Sequence, residues 1–191
     1  MTRFEIDYTK SDMKAFFDDI SKKKLIKSLV LTYSVIGIVI FLIFLAAMYF
    51  MNGGVSFARP LPFVFLGVLA VLVFLGISRA VKNTPDKMYS KFSELYDGSV
   101  VICAFDEDRI YISSFDENQD STDVINENEY VMYSDIYKVV ETDNYFYIFI
   151  NNSTAQIVRK SALVEGSVEE VCNYLKKYIA NYEDLRKYRR N

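Results

Sequence analysis

The chain has 191 residues; 51% are hydrophobic, 22 are basic, 25 are acidic and none is histidine. High apolar content with few glycines and two cysteines excludes a disordered chain, a collagen and a disulfide-stapled scaffold. The missing histidine excludes a Ser-His-Asp or Cys-His site and any histidine-ligated metal.

Taken in chain order, Phe4, Ile6 and Tyr8 alternate with polar residues, the period of a half-buried strand. Thr9-Lys10-Ser11-Asp12 then reads as a capping box that opens a short helix. Met13, Phe16, Phe17 and Ile20 give that helix one apolar face, expected to pack on the protein's own folded domain in preference to lipid.

Two uncharged blocks follow. Leu29–Met51 is about 34 Å long at ~1.5 Å per residue, enough to cross a hydrocarbon core of ~30 Å. The second block, Leu61–Ser78, reaches that length by extending to Val81, with Arg79 snorkelling its guanidinium to the interface. Asn52–Pro60 between them, with two glycines and a proline, predicts a tight turn. Lys22, Lys23, Lys24 and Lys27 precede the first block; Arg79, Lys82, Lys87 and Lys91 follow the second. Under the positive-inside rule both termini are expected in the cytoplasm and the turn outside, in the cell (plasma) membrane. Lys22, Lys23, Lys24, Lys27, Arg79 and Lys82 are the candidate lipid-contacting residues, as cations beside an anionic leaflet. Neither block holds an acidic or basic residue in its interior, which favours an anchor over an ion or proton path. Gly76 and Ala80 form a small-xxx-small pair suited to helix association and hence to a homo-oligomer.

The second half alternates short β-type runs with turn clusters. Val100–Phe105, Ile110–Ser114, Tyr130–Tyr133, Ile136–Glu141, Tyr145–Ile150 and Ala155–Arg159 read as strands, with turns at Thr142–Asn144 and Asn151–Thr154. Ser167-Val-Glu-Glu170 is a second capping box, opening a helix whose apolar face runs from Val168 to Tyr182. The organisation expected is therefore an N-terminal strand and amphipathic helix (1–28), a first span (29–51), a short external loop (52–60), a second span (61–81), a juxtamembrane linker (82–96) and a cytosolic domain (97–191). That domain is expected to be α+β: an antiparallel β roll or split barrel closed by a C-terminal amphipathic helix. Residues 97–191 carry a net charge of −8 and residues 1–96 a net +5, so the domain is a poor partner for nucleic acid.

Phe105-Asp-Glu-Asp-Arg-Ile110, Tyr133–Glu141, Tyr145–Ile150 and Ile157–Leu163 resemble the C-terminal domain of the YcxB-like family of small bacterial membrane proteins. The opening Phe4–Thr9 and the two central spans are similar too. The sequence departs from the family pattern at Arg109, Tyr133 and Val158-Arg159. The resemblance implies a pleckstrin-homology-like cytosolic domain and no known catalytic motif.

Other candidate chemistry is weak. Asp116, Asn118, Asp120 and Glu127 copy part of the spacing of a calcium loop, but Ser121 stands where glycine is needed. A solvated acidic hairpin loop is the simpler reading. Cys103 and Cys172 lack metal or redox spacing and read as core residues. No cofactor, metal or catalytic residue is expected. The function expected is a non-enzymatic, membrane-anchored binding or regulatory module that holds lipid and a protein or peptide partner. Immunity against a bacteriocin or toxin is the alternative.

Overall fold

The computed structural model describes residues 1–52, 61–96, 99–116 and 129–186. The acidic stretch 117–128, most of the turn between the spans and the last five residues lie outside them. The calcium-loop reading and the glycine-rich turn therefore cannot be placed on the fold.

The described residues form two units. The first comprises Met1–Phe16 and Tyr89–Asn191, and the second Phe17–Met88. The first unit is α+β. Strands β1 (Thr2–Ile6), β2 (Ser99–Phe105), β3 (Arg109–Asp116) and β4 (Tyr130–Met132) build one sheet with a later strand, β8 (Leu163–Glu165). Its order is β4-β3-β2-β1-β8. A second sheet has the order β7-β6-β5-β9, from β5 (Lys138–Glu141), β6 (Tyr145–Phe149), β7 (Ala155–Arg159) and β9 (Tyr182–Asp184). Helices α1 (Lys10–Phe16) and α4 (Val168–Tyr178) complete the unit.

Among the described residues the strands form two separate sheets and no closed barrel. The sheet change follows a 3₁₀ turn at Tyr133–Asp135. It is pinned where the Tyr133 hydroxyl donates to the Asp106 carbonyl at 2.7 Å. The pairing is antiparallel except between β5 and β9, which run parallel.

Alternation puts Phe4 and Ile6 of β1 into the core, both fully buried, beside Val101, Cys103 and Phe105 of β2. The Phe4 and Phe105 rings meet edge to face at 5.5 Å. Val171 and Leu175 of α4 close the same core from the other side. The middle strand β6 is buried on both faces, since Phe146, Tyr147 and Ile148 are all covered. Phe16 of α1 caps it with an edge contact to Tyr147 at 5.3 Å.

The N-terminal strand is inserted between two C-terminal ones. Thr2–Ile6 pairs residue for residue with Phe105–Val101, and Arg3 and Phe4 pair with Glu165 and Leu163. Gly166, at φ +87°, follows immediately; a Cβ there would run into Thr2, so only glycine fits. Thr9 opens α1 as a capping box should: its backbone N–H donates to Asp12 Oδ2 at 2.9 Å, and Asp12 N–H donates back to Thr9 Oγ1 at 3.4 Å. The second box forms by half. Ser167 accepts from the Glu169 N–H at 3.2 Å, but Glu170 is taken by the Thr2 hydroxyl at 2.7 Å and the Tyr174 hydroxyl at 3.0 Å.

In the second unit a π-helical turn, Phe17–Ser21, leads into α2 (Lys22–Asn52), and α3 is Leu61–Tyr96. Segments Lys10–Tyr49 and Pro62–Lys91 are long and apolar enough to cross a membrane, with mean hydropathies of 2.8 and 2.4 over their most apolar windows. Only 6% and 0% of those windows are buried inside the protein, unlike the core helices of a soluble fold. The helix α3 continues past residue 81 to Tyr96, through the expected juxtamembrane linker 82–96. Pro85 is accommodated within it, and the Thr84 hydroxyl donates to the Ala80 carbonyl at 2.7 Å just before it.

Candidate functional site

The polar centre of the α+β unit is Glu141, the last residue of β5. Val139, Val140 and Glu141 are buried in succession, so β5 is covered on both faces and Glu141, on the same face as Val139, is fully buried. A buried carboxylate is costly without partners, and four elements supply them. Lys160, from the turn after β7, donates Nζ to Oε1 at 2.6 Å and also to the Thr142 carbonyl at 2.7 Å. Cys172 of α4 donates Sγ to Oε1 at 3.2 Å. The Tyr182 hydroxyl of β9 donates to Oε2. Arg186 places Nη1 2.8 Å from Oε1, and Lys176 lies 3.8 Å from Oε2.

Burial alone would raise the Glu141 pKa. The hydrogen bonds from Lys160, Tyr182 and Cys172 and the Lys160 charge outweigh it, so the carboxyl titrates below its ordinary range. Burial first, and then the bond to Glu141, push the Cys172 thiol up to about 11. Burial and the same carboxylate raise Tyr182 as well. The glutamate is thus held ionised and the thiol protonated. Neither is set up as a proton donor or a nucleophile at neutral pH. The cluster acts as a clasp that joins β5, the β7 turn, α4 and the C-terminal segment.

A second buried acid, Asp12, closes the other end of the same sheet. It is 1% exposed; Arg159 Nη1 sits 3.0 Å from Oδ2 and the Tyr145 hydroxyl 2.9 Å from Oδ1. Thr9 donates to the same carboxylate from both backbone and side chain. The capping signal therefore marked Asp12, although not its ion pair. Glu141 was read only as a strand end, and an acid closing a Val-Val run was the available signal.

The candidate lipid-contacting residues lie on the second unit. Lys22 is bound to Asp18 one turn earlier at 2.9 Å, whereas Lys23, Lys24, Lys27, Arg79 and Lys82 are exposed. Phe44 stacks on Phe65 at 4.3 Å, Leu69 reaches Gly37, and Tyr33 covers Gly76. Rising numbers on α2 thus meet falling numbers on α3. The antiparallel register brings Lys27 and Lys82 to the same end of the pair. Gly76 serves this contact within the chain. Between the helices lies an apolar groove of about 520 Å³, lined by residues such as Gly37, Phe41, Leu69 and Phe74. Cys103 is buried beneath Gln156, and burial pushes its thiol up to about 12, in keeping with a core residue.

These features define an α+β protein whose two-sheet unit accompanies a pair of long apolar helices with a basic end. Residues 105–173, from the end of β2 into α4, match the family described as YcxB-like protein. The resemblance read from Phe105–Ile110, Tyr133–Glu141, Tyr145–Ile150 and Ile157–Leu163 lies within that stretch. The N-terminal strand and the apolar helices lie outside it. No curated protein and no solved structure matches the chain.

Proposed function

We propose that this is a non-enzymatic, membrane-anchored binding module, with α2 and α3 crossing the plasma membrane as a hairpin and the two-sheet unit in the cytoplasm. The pairing of Thr2–Ile6 with both β2 and β8 carries the reading. A chain that leaves a folded unit at Phe16 and rejoins it near Tyr89 must return to the side it left. Two spans satisfy that condition and one does not. The near-absence of burial on both apolar helices supports lipid as their solvent. Lys23, Lys24, Lys27, Arg79 and Lys82 mark the cytoplasmic end by the positive-inside rule, each worth ~1 kcal/mol of attraction to an anionic leaflet. The two packed sheets with a helix after the strands are read as a pleckstrin-homology-like arrangement, a scaffold that presents sheet edges and loops to a ligand.

Topology is the direct test. In intact cells, a cysteine replacing Ser56 should react with an impermeant maleimide, while one replacing Ser153 should react only after lysis. Labelling of Ser153→Cys from outside would overturn the orientation. Labelling of both or neither would overturn the hairpin.

A further inference from the structure

One edge strand of the second sheet, β9, differs from the other described strands of the unit in its direction. β9 covers the edge of β5 with three residues, in the only parallel pairing among the described strands. Tyr182, Glu183 and Asp184 are all half-buried, and of the three only Tyr182 packs against the core. Backbone bonds fix the two ends: Val139 N–H donates to the Asn181 carbonyl at 3.0 Å, and Leu185 N–H to the Glu141 carbonyl at 2.9 Å. The Lys138–Glu183 pair beside them, at 2.5 Å, is partly exposed at both partners and adds only modestly.

What specifies the segment is the Glu141 carboxylate, which takes the Tyr182 hydroxyl and the Arg186 guanidinium together. Arg186 is held in shape for this by Asp184, through two bonds of 2.9 Å. The socket does not depend on the strand. With Tyr182 and Arg186 removed, Glu141 keeps Lys160 at 2.6 Å and Cys172 at 3.2 Å, so the buried charge is still compensated. A strand that can leave without orphaning its anchor has a lower barrier to leaving than one that cannot.

We propose that Asn181–Arg186 is an internal occupant of a peptide-binding edge, and that β5 with Glu141 receives in its place an extended peptide of another protein. That peptide adds in parallel to β5 and carries a tyrosine followed, four residues later, by an arginine. Backbone pairing supplies the affinity and the carboxylate reads the two side chains. A loose C-terminal strand guards the edge when no partner is present. The inference rests on the binding-module reading: failure of the topology test changes where the protein binds, and failure of strand exchange changes how.

The test uses the full chain in detergent micelles and a fluorescent peptide of residues 179–186 as the probe. Tyr182→Phe with Arg186→Gln weakens the internal strand while leaving the socket intact. This variant should bind the probe at least 10-fold more tightly than the wild type. A probe carrying the same two substitutions should bind it at least 10-fold more weakly. Equal affinity of variant and wild type, or indifference to the altered probe, overturns the proposal. Should the variant not fold, hydrogen exchange on the wild type decides. The amides of Val139 and Leu185 should exchange at least 100-fold faster than those of Phe146–Ile148. Exchange of both sets together would mean that the strand leaves only on global unfolding, and would overturn it.

Discussion

The two ends of the chain each add a strand to a sheet, and they are held by opposite means. Thr2–Ile6 sits inside its sheet with a neighbour on either side, and Phe4 and Ile6 are fully buried. Tyr182–Asp184 sits at the edge of the other sheet with one neighbour and no fully buried residue. The first is held by apolar area, which is non-directional and is lost only when the core opens. The second is held by a few directed polar contacts that converge on one carboxylate. A terminus bound by area is part of the fold; a terminus bound by a clasp can be exchanged or released. The same 191 residues contain both solutions because residues 4–8 alternate apolar and acidic side chains, whereas Tyr182–Arg186 carries two adjacent acids and a base.

The comparison is broken most severely at Phe4. Replacing it with alanine empties a site packed edge to face against Phe105 and should cost ~3–5 kcal/mol. The expected outcome is a large fall in the urea midpoint of the whole α+β unit, followed by tyrosine fluorescence. No such collapse is expected from any substitution in β9.

Asp12→Ala should come next, at ~2 kcal/mol, because it removes both a helix cap and the partner of Arg159. A double-mutant cycle with Arg159→Ala separates the two: the coupling energy belongs to the ion pair and the remainder to the cap.

Acid sharpens the contrast further. The Glu141 pKa is depressed on folding, so its contribution is complete above the ordinary carboxylate value of 4.5 and is lost as pH falls through the folded value. Asp184, pushed down to about 2 chiefly by its bonds to Arg186, behaves in the same way from 3.8 downward. Exchange of the Leu185 amide should therefore accelerate as pH falls from 4.5 towards about 2, before that of β6, once corrected for the intrinsic pH dependence. In Glu141→Gln that step should be reduced, while the core amides stay protected.

The smallest effect is Tyr182→Phe, which deletes one hydroxyl to a charged acceptor and should cost ~1 kcal/mol. Global melting should shift by only a few degrees. A loss comparable to Phe4→Ala would show that the C-terminal strand is core after all.

Much of this architecture can be read from residue order alone. The two uncharged blocks are too long and too apolar for a small core, and the structure leaves them unburied. Runs of β-type residues between turn clusters located β2, β3, β6 and β7 to within a residue or two, because both signals are local. Thr9–Asp12 was legible as a capping box for the same reason: its partners are three residues apart. Sequence reasoning failed where the deciding partner is distant. The helix expected to run to Tyr182 ends at Tyr178, since the apolar period continues while Val139 and Glu141, some 40 residues away, draw the chain into β9. β8 was missed because Leu163–Glu165 is a strand only beside β1. The second capping box was half lost because Thr2 claims Glu170. Periodicity, capping and hydropathy depend on neighbours in sequence, so the order of residues determined them. The sheet partners of the two termini and the clasp at Glu141 depend on contacts between residues far apart in the chain, and only the folded structure could decide those.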